Sequence, residues 1–279
     1  MKVNLLQMQS SQKFEDNLRV IEQAFHQQFQ HRTPASTVQL ALLPEAAWVF
    51  AQYHQQNRDL ASNTDSITRL CSELAKQYAL IIVAGTVPVP ATNERCYSRC
   101  LVWGPQGQLL GHYDKMHLFD VDIRDRSGAY RESEHFAAGD QPSLIDCGSL
   151  TLGLTVCYDL RFPELFQHYK ALGAHLITVP SAFTAKTGRA HWQPLLQARA
   201  IENQCFILAV GQWGQHDNGR TTWGHSMIID PWGRILAEKA QGSGWLTSDI
   251  DVSQIDDIQR MMPIQQHKRF AQAKLKSPK

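Results

Sequence analysis

The sequence predicts an α/β protein with mixed sheets, in which two sheets pack together and helices lie outside them. In the first half, apolar runs of strand length alternate with amphipathic segments of helical period, an order typical of parallel strands. In the second half, several strands follow one another with only turn residues between them, which indicates antiparallel pairs. The chain has 279 residues, 43% of them apolar, which is enough to bury a large core. Because no linker or internal repeat interrupts it, residues 1–279 are predicted to form a single domain.

The elements of the first half follow from the period of their apolar residues. Strands carry short apolar or β-branched runs, and the run at 79–89 is nearly continuous, as expected when both faces of a strand are covered. The predicted order is a strand at 2–8, a helix at 12–30, a strand at 37–43, a helix at 63–78, a strand at 79–89, and a hairpin of 95–103 with 109–113.

Residues 114–142 are polar and weakly periodic, which predicts a long loop, and loops of this length inside compact chains are usually functional. In the second half, Pro163 suits the first turn of a helix and Gly173 suits its C-terminal end. The predicted order is strands at 143–146 and 150–156, a helix at 162–172, a strand at 174–179, a helix at 190–203, strands near 205–210, 224–230, 234–239 and 244–250, and a short helix with an extended arm from about 252.

Composition and charge exclude several classes of function. The formal net charge is +1, so the chain has neither the basic footprint of a nucleic-acid-binding protein nor an acidic tail. No apolar stretch is long enough for a membrane span, and the N-terminus lacks the pattern of a signal peptide. The six cysteines are scattered and predict reduced thiols. The expected location is the cytoplasm, with no nucleic-acid or membrane partner.

Cys157 is the first candidate for chemistry. It follows the apolar run at 150–156 and precedes a predicted helix by a few residues. A cysteine placed there is exposed at the edge of a sheet, and the helix dipole favours its thiolate. The backbone N–H of Tyr158 could then meet an oxyanion. A buried structural cysteine explains the position equally well.

Glu45 and Lys115 are two further candidates at predicted strand ends. Glu45 follows a buried strand and a proline, where a carboxylate is poorly solvated and could act as a general base. Lys115 follows the hairpin and could stabilise a tetrahedral intermediate. Taken singly, each residue also fits an ordinary surface position, and this reading is favoured for each.

Metal and nucleotide chemistry find no support in the sequence. His112, His117 and His191 lack the spacing of a zinc site. His225 could complete a cysteine–histidine–aspartate triad with Asp159 or Asp230, but no spacing favours that arrangement over a core histidine. No glycine-rich phosphate loop occurs, so no cofactor is predicted.

Three motifs taken together resemble the nitrilase (carbon–nitrogen hydrolase) superfamily. They are LLPEAAW with Glu45, GHYDKMHLF with Lys115, and GLTVCYDLRFPEL with Cys157, in the family's order, and the resemblance runs to about residue 265. It implies that Glu45 is the general base, Lys115 the oxyanion stabiliser and Cys157 the nucleophile of an amidase that needs no metal or organic cofactor. The segment RESEHF implies a second glutamate, Glu132, that supports Lys115.

The resemblance also implies a four-layer αββα sandwich and a homodimer or higher homo-oligomer, with the helices at 162–172 and 190–203 as the expected interface. Within the superfamily, segments such as RAIENQC and SMIIDPWG are most similar to the Nit1 type, whose members hydrolyse deaminated glutathione to 2-oxoglutarate and cysteinylglycine. Two alternatives stay open: an omega-amidase acting on 2-oxoglutaramate or 2-oxosuccinamate, and a binding protein with the same fold but no catalysis.

A substrate with carboxylates requires cations, and arginine would bind them in a bidentate way. Tyr158 and Phe183 are expected to line the acyl pocket. Arg161 is assigned a structural role, pairing with Glu164 or an inward carboxylate. Arg189 stands where the family pattern has proline. The predicted carboxylate-binding cations are Lys186, Arg189 and Arg131, with Arg124 and Arg126 in the same polar loop as the last.

Overall fold

The computed structural model describes residues 1–33, 35–123, 129–148 and 150–270. It confirms an α/β fold with mixed sheets. The helices are α1 (Phe14–Phe29), α2 (His54–Ala61), α3 (Asp65–Tyr78), α4 (Pro163–Ala171), α5 (Ala185–Asn203), α6 (Gln254–Met261) and α7 (Ile264–His267). The strands are β1 (Lys2–Gln7), β2 (Gln39–Leu42), β3 (Leu80–Val83), β4 (Val87–Pro90), β5 (Cys96–Trp103), β6 (Leu109–Asp114), β7 (Asp120–Asp122), β8 (Ala129–Arg131), β9 (Phe136–Ala137), β10 (Leu144–Asp146), β11 (Thr151–Leu154), β12 (Leu176–Ser181), β13 (Phe206–Gly211), β14 (Trp213–Gln215), β15 (Thr221–Trp223), β16 (Ser226–Ile229), β17 (Ile235–Lys239) and β18 (Gly244–Asp249).

Two mixed sheets form the centre of the molecule. The first has the order β18-β1-β2-β3-β5-β4, with β6 and β9 also paired to β5. The second has the order β10-β11-β12-β13-β16-β17. Strands β1, β2 and β3 run parallel, as do β11, β12 and β13, because helices connect them. The later strands β16 and β17 pair antiparallel, as the hairpin pattern of the second half predicts.

Alternation along β1 shows how the layers are built. Val3 and Leu5 face the core that the two sheets share, whereas Leu6 and Met8 face the core beneath α1 and α3. Strands β2 and β3 divide their side chains in the same way. Helices α4 and α5 cover the other sheet with buried aromatic residues, among them Phe166. The layers therefore follow the order helix, sheet, sheet, helix.

The structure differs from the predicted elements in five places. Helix α2 was not predicted, because its sequence HQQNRDLA buries only Leu60 and Ala61 and carries little periodic signal. The apolar run at 79–89 forms two strands, β3 and β4, that are separated at Gly85. The polar segment contains the β7–β8 hairpin, and a second hairpin, β14–β15, follows β13. Helix α5 begins at Ala185, five residues before its predicted start at position 190.

Two further observations concern the whole described chain. In the part that the structure describes, no helix combines the length and apolar character that a membrane crossing requires. All six cysteines are unpaired, and five of them are buried.

Candidate active site

The ends of four strands meet at one cavity of about 550 Å³. Glu45 follows β2, Lys115 follows β6, Cys157 lies shortly after β11, and Ala182 follows β12. All four residues line the cavity, and so does Glu132. The structure therefore brings together the residues that the sequence singled out for catalysis, although they are far apart in the chain. They are Glu45, Lys115, Glu132 and Cys157.

The segment between β3 and β4 holds the backbone around Glu45 in place. Gly85 has a φ of +65°, and a Cβ at this position would lie 1.9 Å from the carbonyl oxygen of Pro44, so glycine is required for this close approach. The Thr86 hydroxyl accepts a hydrogen bond from the Ala46 N–H at 2.8 Å. This contact fixes the turn that carries Glu45, whose carboxylate then points into the cavity.

Lys115 is 2% exposed and lies between the two glutamates. Its Nζ donates to Glu45 Oε1 at 2.8 Å and to Glu132 Oε1 and Oε2 at 2.9 and 2.8 Å. Glu132 begins a 3₁₀ turn, Glu132–Glu134, and also accepts the Phe119 N–H at 2.6 Å. The ammonium group therefore has a fixed position with carboxylates on both sides.

Cys157 begins a 3₁₀ turn, Cys157–Arg161, and has a φ of +49°. A non-glycine residue in this left-handed region is strained, and such residues are frequent at functional sites. The buried Asp159 stabilises the turn, because it accepts the Val156 N–H and the Tyr113 hydroxyl, each at 2.8 Å. His117 Nδ1 lies 2.7 Å from the other oxygen of Asp159. These bonds connect the cysteine turn to strand β6, which ends next to Lys115.

The charges of this cluster act on one another. Burial lowers the pKa of Lys115, but the carboxylates of Glu132 and Glu45 outweigh that effect and raise it well above its usual value. Burial raises the pKa of Glu132, and the charge of Lys115 opposes the increase. Burial and the Glu45 carboxylate raise the pKa of the Cys157 thiol well above its usual value. This direction favours the neutral thiol, whereas the helix dipole was expected to favour the thiolate.

Glu45 is placed to accept the thiol proton. Both side chains line the same cavity, and Glu45 is among the groups that raise the pKa of the Cys157 thiol. The second oxygen of Glu45, Oε2, accepts the Ala182 N–H at 2.8 Å. Because Oε1 is bound to Lys115 and Oε2 to the backbone, the carboxylate has one orientation, and a general base must be held in this way to act efficiently.

The predicted substrate-binding residues occupy different places. Tyr158, Phe183 and Arg131 line the cavity. Arg131 is already paired with Asp122 Oδ1 at 2.7 Å. Lys186 donates to the Ile123 carbonyl at 2.7 Å and is exposed.

Arg189 is also exposed, and among the described residues neither it nor Lys186 lines the cavity. The reason lies in the period of helix α5. Thr187 and Gly188 are the buried positions, and Gly188 packs against Trp223, so the neighbouring cations point away. Arg124 and Arg126 lie outside the described residues.

Other polar residues singled out in the sequence have partners of their own. Arg161 Nη1 lies 3.2 Å from His191 Nδ1, with no ion pair to Glu164 among the described residues. His225 Nδ1 lies 2.6 Å from Glu238 Oε1, and within the described part of the chain it forms no hydrogen bond or ion pair with Asp159 or Asp230. Within the described part of the chain, no group of three or more His, Cys, Asp or Glu residues is arranged to hold a metal ion.

Sequence reasoning missed a second polar group in the cavity, which lies on the β14–β15 hairpin. Arg220 and Asn218 line the cavity together with Phe50. The only signal in the sequence was the turn pattern DNG at 217–219, which predicts a tight turn but says nothing about what it faces.

Residues 2–260 match the carbon–nitrogen hydrolase family, and the chain therefore belongs to this family. A deaminated glutathione amidase from Yersinia enterocolitica is 41% identical over 271 residues, which cover 96% of this chain and 93% of that protein. The mouse omega-amidase NIT2 is 36% identical over 202 residues, or 72% of each chain. The solved structure of Saccharomyces cerevisiae Nit3, a member of branch 10 of the nitrilase superfamily, is 27% identical with a TM-score of 0.85 over 97% of both chains. The resemblance to the nitrilase superfamily is therefore confirmed.

Proposed function

We propose that the protein is an amidase that hydrolyses a C–N amide bond through a thioester on Cys157. The observation that carries the proposal is the position of Lys115, whose Nζ joins Glu45 and Glu132 at 2.8–2.9 Å beside the cysteine. This is a nucleophile with an adjacent base and a fixed cation, the arrangement that acyl transfer requires.

In the first half of the proposed reaction, Glu45 accepts the Cys157 proton while Sγ attacks the amide carbonyl carbon. The oxyanion forms near Lys115 Nζ and the Tyr158 N–H. An ammonium group has three protons; if the two oxygens of Glu132 share one and Glu45 takes another, the third is available to the oxyanion. Glu45 then returns its proton to the nitrogen, the C–N bond breaks, and the amine leaves.

In the second half, Glu45 removes a proton from a water molecule, and the resulting hydroxide attacks the thioester carbonyl. The C–S bond breaks, the carboxylic acid leaves, and Cys157 recovers its proton from Glu45. Glu132 keeps Lys115 in position throughout. Since the resting thiol has a raised pKa, proton transfer to Glu45 has to accompany the attack, which is general-base catalysis.

The proposed substrate is deaminated glutathione, which would yield 2-oxoglutarate and cysteinylglycine. The similarity to the Yersinia amidase over almost the whole of both chains supports this choice. The alternative is an omega-amidase acting on 2-oxoglutaramate or 2-oxosuccinamate, and the similarity to mouse NIT2 supports it over a smaller share of each chain.

Release of 2-oxoglutarate from deaminated glutathione and from 2-oxoglutaramate tests the substrate choice. A higher kcat/KM for deaminated glutathione, abolished by Cys157→Ala, is the expected result. A higher kcat/KM for 2-oxoglutaramate would contradict the main proposal and establish the alternative with the same site. Failure to hydrolyse either substrate would overturn the substrate assignment altogether.

We also propose a homodimer formed through α4 and α5. Leu172, just after α4, is 54% exposed, and Ile201 on α5 is 52% exposed. Apolar side chains exposed on adjacent helices suit a protein interface. Light scattering should give the mass of a dimer, and the combined change Leu172→Asp and Ile201→Asp should give a monomer. A wild-type monomer at micromolar concentration would contradict the proposal. The cytoplasmic location stays a prediction.

A further inference from the structure

Arg220 is a cation of the cavity that the proposed mechanism does not use. It lines the same cavity as Cys157, and among the described residues its guanidinium forms no ion pair with a carboxylate. The other lysine and arginine side chains that line the cavity already have anionic partners. Lys115 is bound to two glutamates and Arg131 is bound to Asp122. A half-buried guanidinium without an anion is suited to receive one from a ligand.

Aromatic rings hold the Arg220 side chain in place. Its guanidinium carbon lies 5.0 Å from the centroid of the Phe50 ring and 5.3 Å from that of Tyr130, both within the range of cation–π contacts. The other side of Phe50 is stacked on His216, with centroids 3.8 Å apart and an interplanar angle of 4°. The guanidinium is therefore oriented before any ligand arrives.

The backbone that carries Arg220 is fixed as well. In the β14–β15 hairpin, the His216 N–H donates to the Arg220 carbonyl at 2.8 Å. The Asn218 amide donates to the carbonyls of Phe50 and Ala51 at 3.2 and 3.3 Å, and the Arg220 N–H donates to Asn218 Oδ1 at 3.1 Å. These bonds attach the hairpin to the segment that follows Glu45, so Arg220 keeps its place relative to the catalytic base.

A row of rings connects Arg220 to the neighbourhood of the nucleophile. Tyr130 lies 5.1 Å from Phe119, and Phe119 lies 5.1 Å from Tyr158, measured between ring centroids. Tyr158 follows Cys157 directly in the chain. Arg220 stands at the far end of this row, beyond Tyr130, whereas Cys157 is next to its near end. We expect a ligand that contacts both Arg220 and Cys157 to lie along these rings, because all of them line the same cavity.

We infer that Arg220 binds a carboxylate on the leaving-group side of the substrate and thereby selects an amide with an acidic peptidyl amine. The inference rests on the proposed function. Deaminated glutathione has a carboxylate at each end, and one of them, on the glycine, leaves with the amine. The amine released from 2-oxoglutaramate is ammonia, which has no group that Arg220 could bind. Arg220 is thus a specificity-determining residue for the longer substrate.

The test compares Arg220→Met with the wild type on three substrates: deaminated glutathione, its glycinamide analogue without the terminal carboxylate, and 2-oxoglutaramate. Methionine keeps an apolar side chain between the rings while it removes the charge. We expect kcat/KM for deaminated glutathione to fall roughly 10- to 100-fold, the effect of one charge-assisted hydrogen bond. For the other two substrates we expect changes below about 2-fold, because neither has the carboxylate whose interaction is lost. Arg220→Lys should recover part of the loss.

Arg19→Met serves as the matched control, because Arg19 lies on the exposed surface of α1 and should leave all three rates unchanged. An equal loss on all three substrates would overturn the inference, since Arg220 would then act on the acyl part or on the fold. No loss on deaminated glutathione would overturn it too.

Binding measured on the Cys157→Ala variant separates this inference from the proposed function. Without turnover, calorimetry gives the Kd of deaminated glutathione and of its glycinamide analogue. Tighter binding of the acid, lost when Arg220→Met is added, supports the inference even if the wild type proves inactive as an amidase. Equal affinities for the two compounds would overturn the inference even if the wild type hydrolyses deaminated glutathione.

Discussion

Two cations share one cavity but have opposite surroundings. Lys115 is 2% exposed and bound to two carboxylates. Arg220 is half-buried, lies against the rings of Phe50 and Tyr130, and has no carboxylate partner among the described residues. A cation that is already paired with carboxylates keeps the same partners before and after a ligand binds. A cation without a carboxylate partner forms an ion pair only when an anionic ligand binds. The comparison suggests that the Lys115 end of the cavity performs chemistry and the Arg220 end performs recognition.

The largest expected effect tests the chemical end. Cys157→Ala should reduce kcat by roughly 10⁴-fold or more on every amide, as loss of a covalent nucleophile does, whereas Arg220→Met should be selective for one substrate. Single-turnover experiments with mass spectrometry should detect an acyl adduct on the wild type and none on the variant. An adduct on the variant, or turnover within tenfold of the wild type, would mean that another group is the nucleophile.

Lys115→Met should have the second-largest effect, on stability. It leaves the buried carboxylates of Glu45 and Glu132 without their cation, a change that typically costs about 3–5 kcal/mol. Urea denaturation at pH 7 measures the loss.

The stability of Lys115→Met should then increase as the pH falls. Burial raises the pKa of Glu132 and Lys115 opposes the increase, so without the cation the folded-state pKa of Glu132 lies further above its unfolded value and the folded state takes up a proton first. Lys13→Met, at an exposed position, is the matched control and should change little. A variant whose stability is unchanged, or decreases toward acid like the wild type, would show that Lys115 does not compensate the two glutamates.

A smaller effect on stability is expected from His216, whose ring stacks on Phe50, the ring that Arg220 contacts. Burial lowers the pKa of His216 to about 4, while Ser10 and Thr222 hold its two ring nitrogens at 2.9 and 2.8 Å. Because the folded-state pKa is below the unfolded value of about 6.5, the unfolded state binds the proton first as the pH falls. Stability is therefore full above pH 6.5 and is lost progressively toward pH 4.

Between pH 7 and pH 5, this group should cost the wild type about 2 kcal/mol of unfolding free energy. His216→Gln, which has no charge to gain, should be less stable at pH 7 but should lose about 2 kcal/mol less over this range. Urea denaturation at both pH values gives the comparison. Equal losses in the two proteins would show that His216 does not titrate in this way and that another group sets the acid sensitivity.

The sequence predicted the chemical end of the cavity far better than the recognition end. Glu45, Lys115 and Cys157 each follow a strand, and strand ends are visible as breaks in an apolar pattern. Arg220 lies at the end of a hairpin turn, directly before the three-residue strand β15, and its contact with Phe50 joins residues some 170 positions apart in the chain. Contacts of this kind arise from tertiary packing and leave no periodic signal.

The same contrast holds for the fold. Strands β1, β2 and β3 were predicted because both of their faces are buried and their sequences are apolar. Helix α2 and the hairpins β7–β8 and β14–β15 were not, because they are short, polar and stabilised by hydrogen bonds to other parts of the chain. Lys186 and Arg189 were expected in the pocket because they are near Phe183 in sequence. Both residues lie in helix α5, which turns them outward. The predicted start of this helix at position 190 placed them in a loop, so their orientation did not follow from the sequence.

The pKa of the Cys157 thiol tests how the Lys115 end of the cavity works. Glu45 raises the pKa of the Cys157 thiol, whereas Lys115 lowers it. Glu45→Gln removes the opposing negative charge and keeps Lys115 in place. The pKa of Cys157 should therefore fall, and the thiolate should form at lower pH than in the wild type. Turnover should nevertheless drop roughly 10²- to 10⁴-fold, because the general base is lost.

The ultraviolet absorbance of the thiolate, measured against pH and corrected with Cys157→Ala, follows this ionisation. A downward shift of the midpoint together with lost turnover would show that the site does not work by keeping a preformed thiolate. It would work by keeping a neutral thiol whose proton moves to Glu45 only as the carbonyl is attacked. A midpoint that stays in place or moves upward would mean that Glu45 is not close enough to act on Cys157. The chemistry would then have to depend on Lys115 alone.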